Sequence, residues 1–222
     1  MSLNADILLT AVLVATSCAI LGSFLVLRNL AMVSDAITHA ILPGIVVGFF
    51  LTGDLNSPLL IIGAAIAGVL TVALVELLER THLVKGDAAV GLVFPFLFSI
   101  GVILIAQYAG DVHLDTDAVL LGQLPFVPFD RLVIGGVDLG PRTAWVAGTM
   151  LVVNGAFVAL FYKELKLVTF DAALGAAFGF APVALHYALM SLVSLTAVSA
   201  FDAAGSILVV AFIVGPAAAA GG

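Results

Sequence analysis

Apolar runs separated by short polar clusters follow one another along almost the whole chain, at roughly 6–27, 31–52, 57–78, 88–108, 143–162, 182–201 and 203–222. Each is close to the roughly 20 residues that a helix needs to cross a hydrocarbon core of about 30 Å. Backbone polar groups in lipid must pair within the segment, so such runs predict helices. The pattern predicts an all-α fold, a polytopic integral membrane helical bundle of about seven spans. The last run, DAAGSILVVAFIVGPAAAAGG, stops without a polar flank, and an eighth span is expected beyond residue 222. The opening MSLNADILLTAVLVATSCAILGSFLVL carries an acid where a secretory signal carries bases, and its apolar run is too long for a signal core, so it reads as the first span. With no exact internal repeat and no low-complexity linker, residues 1–222 read as a single transmembrane domain.

Composition agrees: 63% of the 222 residues are hydrophobic and 9% charged, whereas soluble domains carry about 25% charged residues. The net charge of −7 leaves no basic footprint for nucleic acid. Cys18 is the single cysteine, so no disulfide and no thiolate metal cluster can form within the chain. Arg28, Arg80, Lys85, Lys163 and Lys166 fall on one side of the spans, Arg131 and Arg142 on the other. The positive-inside rule then places the N-terminus outside. The outer loop, residues 109–142, is acidic and proline-rich, and its AVLLGQL portion reads as a short re-entrant helix.

Candidate chemistry concentrates in SDAITHAILPG, residues 34–44. Asp35 and His39 stand four apart, on one helical face. Counted inward from Arg28 and Asn29, His39 lies about ten residues or 15 Å deep, near mid-span. A charge at that depth costs at least about 2.5 kcal/mol on insertion scales, which makes an ionisable pair there a candidate functional site. Pro43 lacks an N–H, so the His39 carbonyl loses its helical partner, and Gly44 is expected to ease the resulting helix break. Carboxylate and neutral imidazole suit manganese, iron(II) and zinc, with too little sulfur for copper(I). Two side-chain ligands do not complete a site, and other helices or water must add to them. The competing reading makes Ser34 or Asp35 a helix cap, His39 a buried interhelical bond and Pro43 a packing kink.

Other polar groups carry less. DVHLDTD in the outer loop alternates Asp111, His113, Asp115 and Asp117, but neither the turn glycine nor the terminal glutamate of a calcium loop follows. It reads as a solvated loop. His186 is expected to make an interhelical bond and is left out of the ligand set, and Glu76 and Arg80 are spaced for a salt bridge. No phosphate loop, H-E-x-x-H or G-x-S-x-G occurs, so the chain does not hydrolyse ATP through such a loop and reads as a metal-permeation protein and not an enzyme. Its energy must come from a partner chain or from a gradient.

Four stretches in order, MVSDAITHAILPGIVVGFFL, GDAAVGLVFPFLFSIGVIL, YKELKLVTFDAALGAAFGF and AGSILVVAFIVGPAAAA, resemble permease subunits of the manganese, zinc and iron family of ABC transporters. A glycine usually stands in that family where this chain has Ser34, and its members usually extend past residue 222. The resemblance implies import of a divalent ion, manganese first and zinc or iron(II) as alternatives, with Asp35 and His39 as pathway ligands and no permanently bound cofactor. It implies a separate ATP-binding subunit, an extracytoplasmic metal-binding protein, a permease homodimer and a bacterial or archaeal plasma membrane. It also makes residues 163–181 the cytoplasmic coupling loop. There Phe170, Leu174 and Phe178 recur at spacing four, predicting one short amphipathic helix. Asp171 favours the N-terminal end of its dipole, and Gly175 and Gly179 permit close approach. The alternative to an ABC importer is a secondary metal carrier driven by protons or membrane potential.

Overall fold

The computed structural model describes residues 3–53, 57–108, 124–134 and 137–220. Helices α1 (Leu3–Leu27), α2 (Ala31–Ala40), α3 (Leu42–Thr52), α4 (Pro58–Glu79) and α5 (Gly86–Tyr108) come first. A 3-10 turn (Leu124–Phe129) and strands β1 (Arg131–Ile134) and β2 (Val137–Pro141) follow, then α6 (Arg142–Leu160), α7 (Tyr162–Phe170), α8 (Ala172–Ala177) and α9 (Pro182–Ala220). Among the described residues, seven helical segments are long and apolar enough to cross a membrane: Asn4–Leu27, Ala31–Thr52, Leu59–Glu79, Gly86–Gln107, Arg142–Leu160, Pro182–Phe201 and Ala203–Ala220. They match the seven apolar runs of the sequence to within a few residues.

Two of these segments lie in α9, and contacts with α1 give their directions. Thr196 meets Ser17 through Asn154, and Ala200 lines a small cavity with Val14. The first half of α9 therefore runs antiparallel to α1. A Cβ on Gly22 would collide with the backbone of Ile213, so the second half runs back in the direction of α1. The reversal falls at Gly205, with φ 71° and ψ 168°, a conformation essentially restricted to glycine.

The core runs along α1, α2, α4 and α9, where Leu21, Leu25, Ile37, Ile41, Leu189, Met190, Val209 and Ile213 are buried. Leu8, Val12, Ile66, Leu77, Phe96 and Val152 point outward, as on a surface that faces lipid tails. One polar knot crosses this core: the Asn154 amide donates to Ser17 Oγ at 3.0 Å and to Thr196 Oγ1 at 2.8 Å, joining α6 to α1 and α9.

The all-α expectation needs one addition. β1 and β2 pair antiparallel, with Val133 opposite Asp138 and Ile134 opposite Val137. Arg131 Nε lies 2.7 Å from an Asp138 carboxylate oxygen and ties the two strands. The acidic stretch Asp111–Asp117, and all of the AVLLGQL portion except Leu124, lie outside the described residues.

Candidate functional site

Asp35 and His39 occupy the second and third turns of α2. Nearby hydroxyls turn to the backbone, Ser34 to the Ala31 carbonyl at 2.6 Å and Thr38 to the Asp35 carbonyl at 2.7 Å. The carboxylate and the imidazole are left facing each other, His39 Nε2 at 3.6 Å from Asp35 Oδ1, with side chains 31% and 43% exposed. That gap exceeds a hydrogen bond. It is slightly wider than the roughly 3.0–3.4 Å between two ligand atoms bound about 2.1 Å from one ion.

Beside the pair the helix is interrupted at Ile41, which itself keeps helical dihedrals of φ −70° and ψ −21°. α2 ends at Ala40, Ile41 links the two helices, and Pro43 sits in the first turn of α3, where its missing N–H is tolerated. A Cβ on Gly44 would run into the Gly63 carbonyl of α4, so Gly44 also allows close helix packing at the break. Across the pair, Phe94 and Phe98 of α5 set their rings 5.7 and 6.4 Å from the His39 ring, an apolar wall beside the polar face. Among the described residues no third Asp, Glu, His or Cys joins these two.

The 163–181 segment departs from the single predicted helix. Asp171 adopts φ −149° and ψ 97° and separates α7 from α8. In that extended conformation its carboxylate accepts the Leu174 N–H at 2.9 Å, which caps α8. Gly179 closes α8 with φ 86°, its N–H on the Ala176 carbonyl and the Phe180 N–H on the Gly175 carbonyl. Gly175 is buried against Val168, while Phe170, Leu174 and Phe178 remain exposed. Arg28 Nε donates to Thr169 Oγ1 at 3.0 Å and fastens this segment to the end of α1. Burial lowers the Arg28 guanidinium from its ordinary value.

A group absent from the predicted ligand set appears at that same end. His186 Nε2 lies 2.8 Å from Glu76 Oε1, and Tyr187 donates to Glu76 Oε2 at 2.7 Å. Arg80 stands 3.9 Å from Glu76 Oε2, as the spacing of the two residues implied. Nothing in the local sequence pairs α4 with the start of α9, and only the fold brings them together.

The chain matches the ABC 3 transport family over residues 2–222. It belongs to that family. The zinc transport system membrane protein TroD of Treponema pallidum is 48% identical over 95% of this chain, which spans 57% of TroD's length. The manganese transport system membrane protein MntD of Bacillus subtilis is 46% identical over 99% of this chain and 74% of its own length. The solved structure of PsaBC from Streptococcus pneumoniae in complex with Fab superposes with a TM-score of 0.75 at 28% identity, covering 99% of this chain and 73% of that one. This member of the ABC 3 family is therefore a multi-pass membrane protein whose relatives are named as membrane proteins of transport systems, not as enzymes. The secondary-carrier reading finds no support among them.

Proposed function

We propose that this chain is the permease subunit of an ABC importer that carries a divalent transition-metal ion into the cytoplasm, manganese first, with zinc or iron(II) as alternatives. The observation that carries the reading is the Asp35–His39 pair, two partly exposed ligands one helical turn apart beside a proline break inside a span. The names of the relatives support it, as zinc, manganese and chelated-iron transport systems. The ion is cargo, and no resident cofactor is required. Two protein ligands per chain favour a second permease copy and water to complete the site.

ATP binding and hydrolysis belong to a partner that meets α7 and α8, where exposed Phe170, Leu174 and Phe178 offer apolar docking surface. Asp171, Gly175 and Gly179 shape that surface. Its motion reaches α1 through the Arg28–Thr169 bond and changes access to the metal pair. An extracytoplasmic metal-binding protein delivers the ion at the hairpin end. The location is the bacterial plasma membrane.

The test is uptake of labelled manganese and zinc by cells holding the full partner set. Asp35→Ala and His39→Ala, at matched membrane levels and with the ATPase subunit bound, are expected to abolish uptake. Normal uptake in both variants, or uptake that persists with a catalytically dead ATPase, overturns the reading.

A further inference from the structure

At the Arg28 end a cavity of about 490 Å³ opens between the ends of α1 and α4, the start of α9, and α7 and α8. Arg28, Glu76, Glu79, Arg80, His82 and His186 line it. Glu76 divides its carboxylate there. Oε2 takes the Tyr187 hydroxyl and faces Arg80, while Oε1 faces only the His186 ring among the contacts of this group. His186 Nε2 is buried and makes no hydrogen bond, although Oε1 is 2.8 Å away. Two ligand atoms bound to one ion at about 2.1 Å and a right angle stand about 3 Å apart, close to the 2.8 Å between Nε2 and Oε1.

We infer that Glu76 and His186 form a second, inner station for the divalent ion, which takes it from the Asp35–His39 pair and releases it through this cavity. The inference rests on the metal-import reading. Gly68 of α4 packs against Ile37, which lies between Asp35 and His39 along α2, so it marks the level of the outer pair. Glu76 is eight residues further along α4, about 12 Å at the helical rise. Gly68, Ser194 and Ile37 close the bundle at the upper level, so transfer requires these helices to part. Arg28 and Arg80 beside the inner pair weaken cation binding there, which favours release over storage. Val168 of α7 and Ala172 of α8 belong to the wall, so the ATPase-facing segment borders the exit.

The test uses the purified complex with its ATPase subunit, in a background of Asp35→Ala and His39→Ala that removes the outer pair. Manganese is titrated to millimolar concentration and followed by electron paramagnetic resonance, with pulsed detection of imidazole nitrogen on the bound ion. One weakly bound ion showing nitrogen coupling is expected. His186→Gln is expected to remove the coupling, and Glu76→Gln to weaken binding by about tenfold or more. Tyr187→Phe, which removes the hydrogen bond to Glu76 but no ligand, is expected to leave the coupling in place. No bound ion in the background protein, or nitrogen coupling that survives His186→Gln, overturns the inner station. Loss of binding in Tyr187→Phe equal to that in Glu76→Gln makes the cluster a structural tie between α4 and α9, and also overturns it. The importer reading is judged separately, by ATP-dependent uptake through the unmodified complex.

Discussion

Gly44 of α3 and Gly63 of α4 meet backbone to backbone, each occupying the place where a Cβ on the other would sit. Small residues at such crossings let helices approach closely in lipid, where no hydrophobic drive separates protein from solvent. The contact lies about one and a half turns beyond His39 and presses the second half of the broken span onto α4. Gly44→Val is expected to cost about 1–3 kcal/mol through overpacking. Complex yield and thermal stability in detergent measure it. An unchanged melting temperature would show that the two helices separate without penalty.

Gly205 carries the reversal between the last two described spans. Its φ of 71° with ψ of 168° strains any residue with a Cβ. Gly205→Ala is expected to destabilise the folded permease by about 1–3 kcal/mol. Ala204→Gly, one residue earlier and buried in the same turn, serves as a control for backbone loosening. Thermal unfolding of both variants separates strain from flexibility.

The exposed aromatics on α7 and at the end of α8 invite a split between folding and docking. Phe170 is 72% and Phe178 68% exposed. Phe170→Ser with Phe178→Ser is expected to leave permease stability within about 0.5 kcal/mol, as surface changes usually do. Co-purification of the ATPase subunit is expected to be lost. Retained co-purification would move the docking surface elsewhere.

Asp138 gives the hairpin a pH dependence of known sign. The Gly140 N–H and then the Arg131 side chain hold its carboxyl below the usual range. A depressed carboxyl contributes stability above its unfolded value of about 3.9, and that contribution is lost as pH falls through the lower folded value. Amide exchange at Gly140 is therefore expected to accelerate as pH drops below about 4, relative to an Asp138→Asn variant in which this step is absent. Identical profiles would remove Asp138 as the cause.

The spans were legible because each must satisfy its own backbone in lipid, a local requirement written as a run of apolar residues. Asp35, His39 and Pro43 were legible for a related reason: polar groups inside such a run carry a penalty that makes them conspicuous. Asp171 suits the start of a helix, and its capping geometry also ends the preceding one, so the one expected element is two. The hairpin left a signal in RLVIGGVDLG, a Gly-Gly between two short apolar stretches, which the surrounding prolines and acids obscured.

The sequence by itself determined where the chain crosses the membrane, which ionisable groups enter a span, and where a proline interrupts a helix, because these depend on neighbours a few residues apart. Tertiary structure alone decided that Gly44 faces Gly63, that Asn154 reaches Ser17 and Thr196, and that His186 turns to Glu76 across a cavity bordered by Arg28. Those relationships join residues distant along the chain. Their partners follow from how whole helices pack, and an apolar face offers several ways to pack until the other helices are in place.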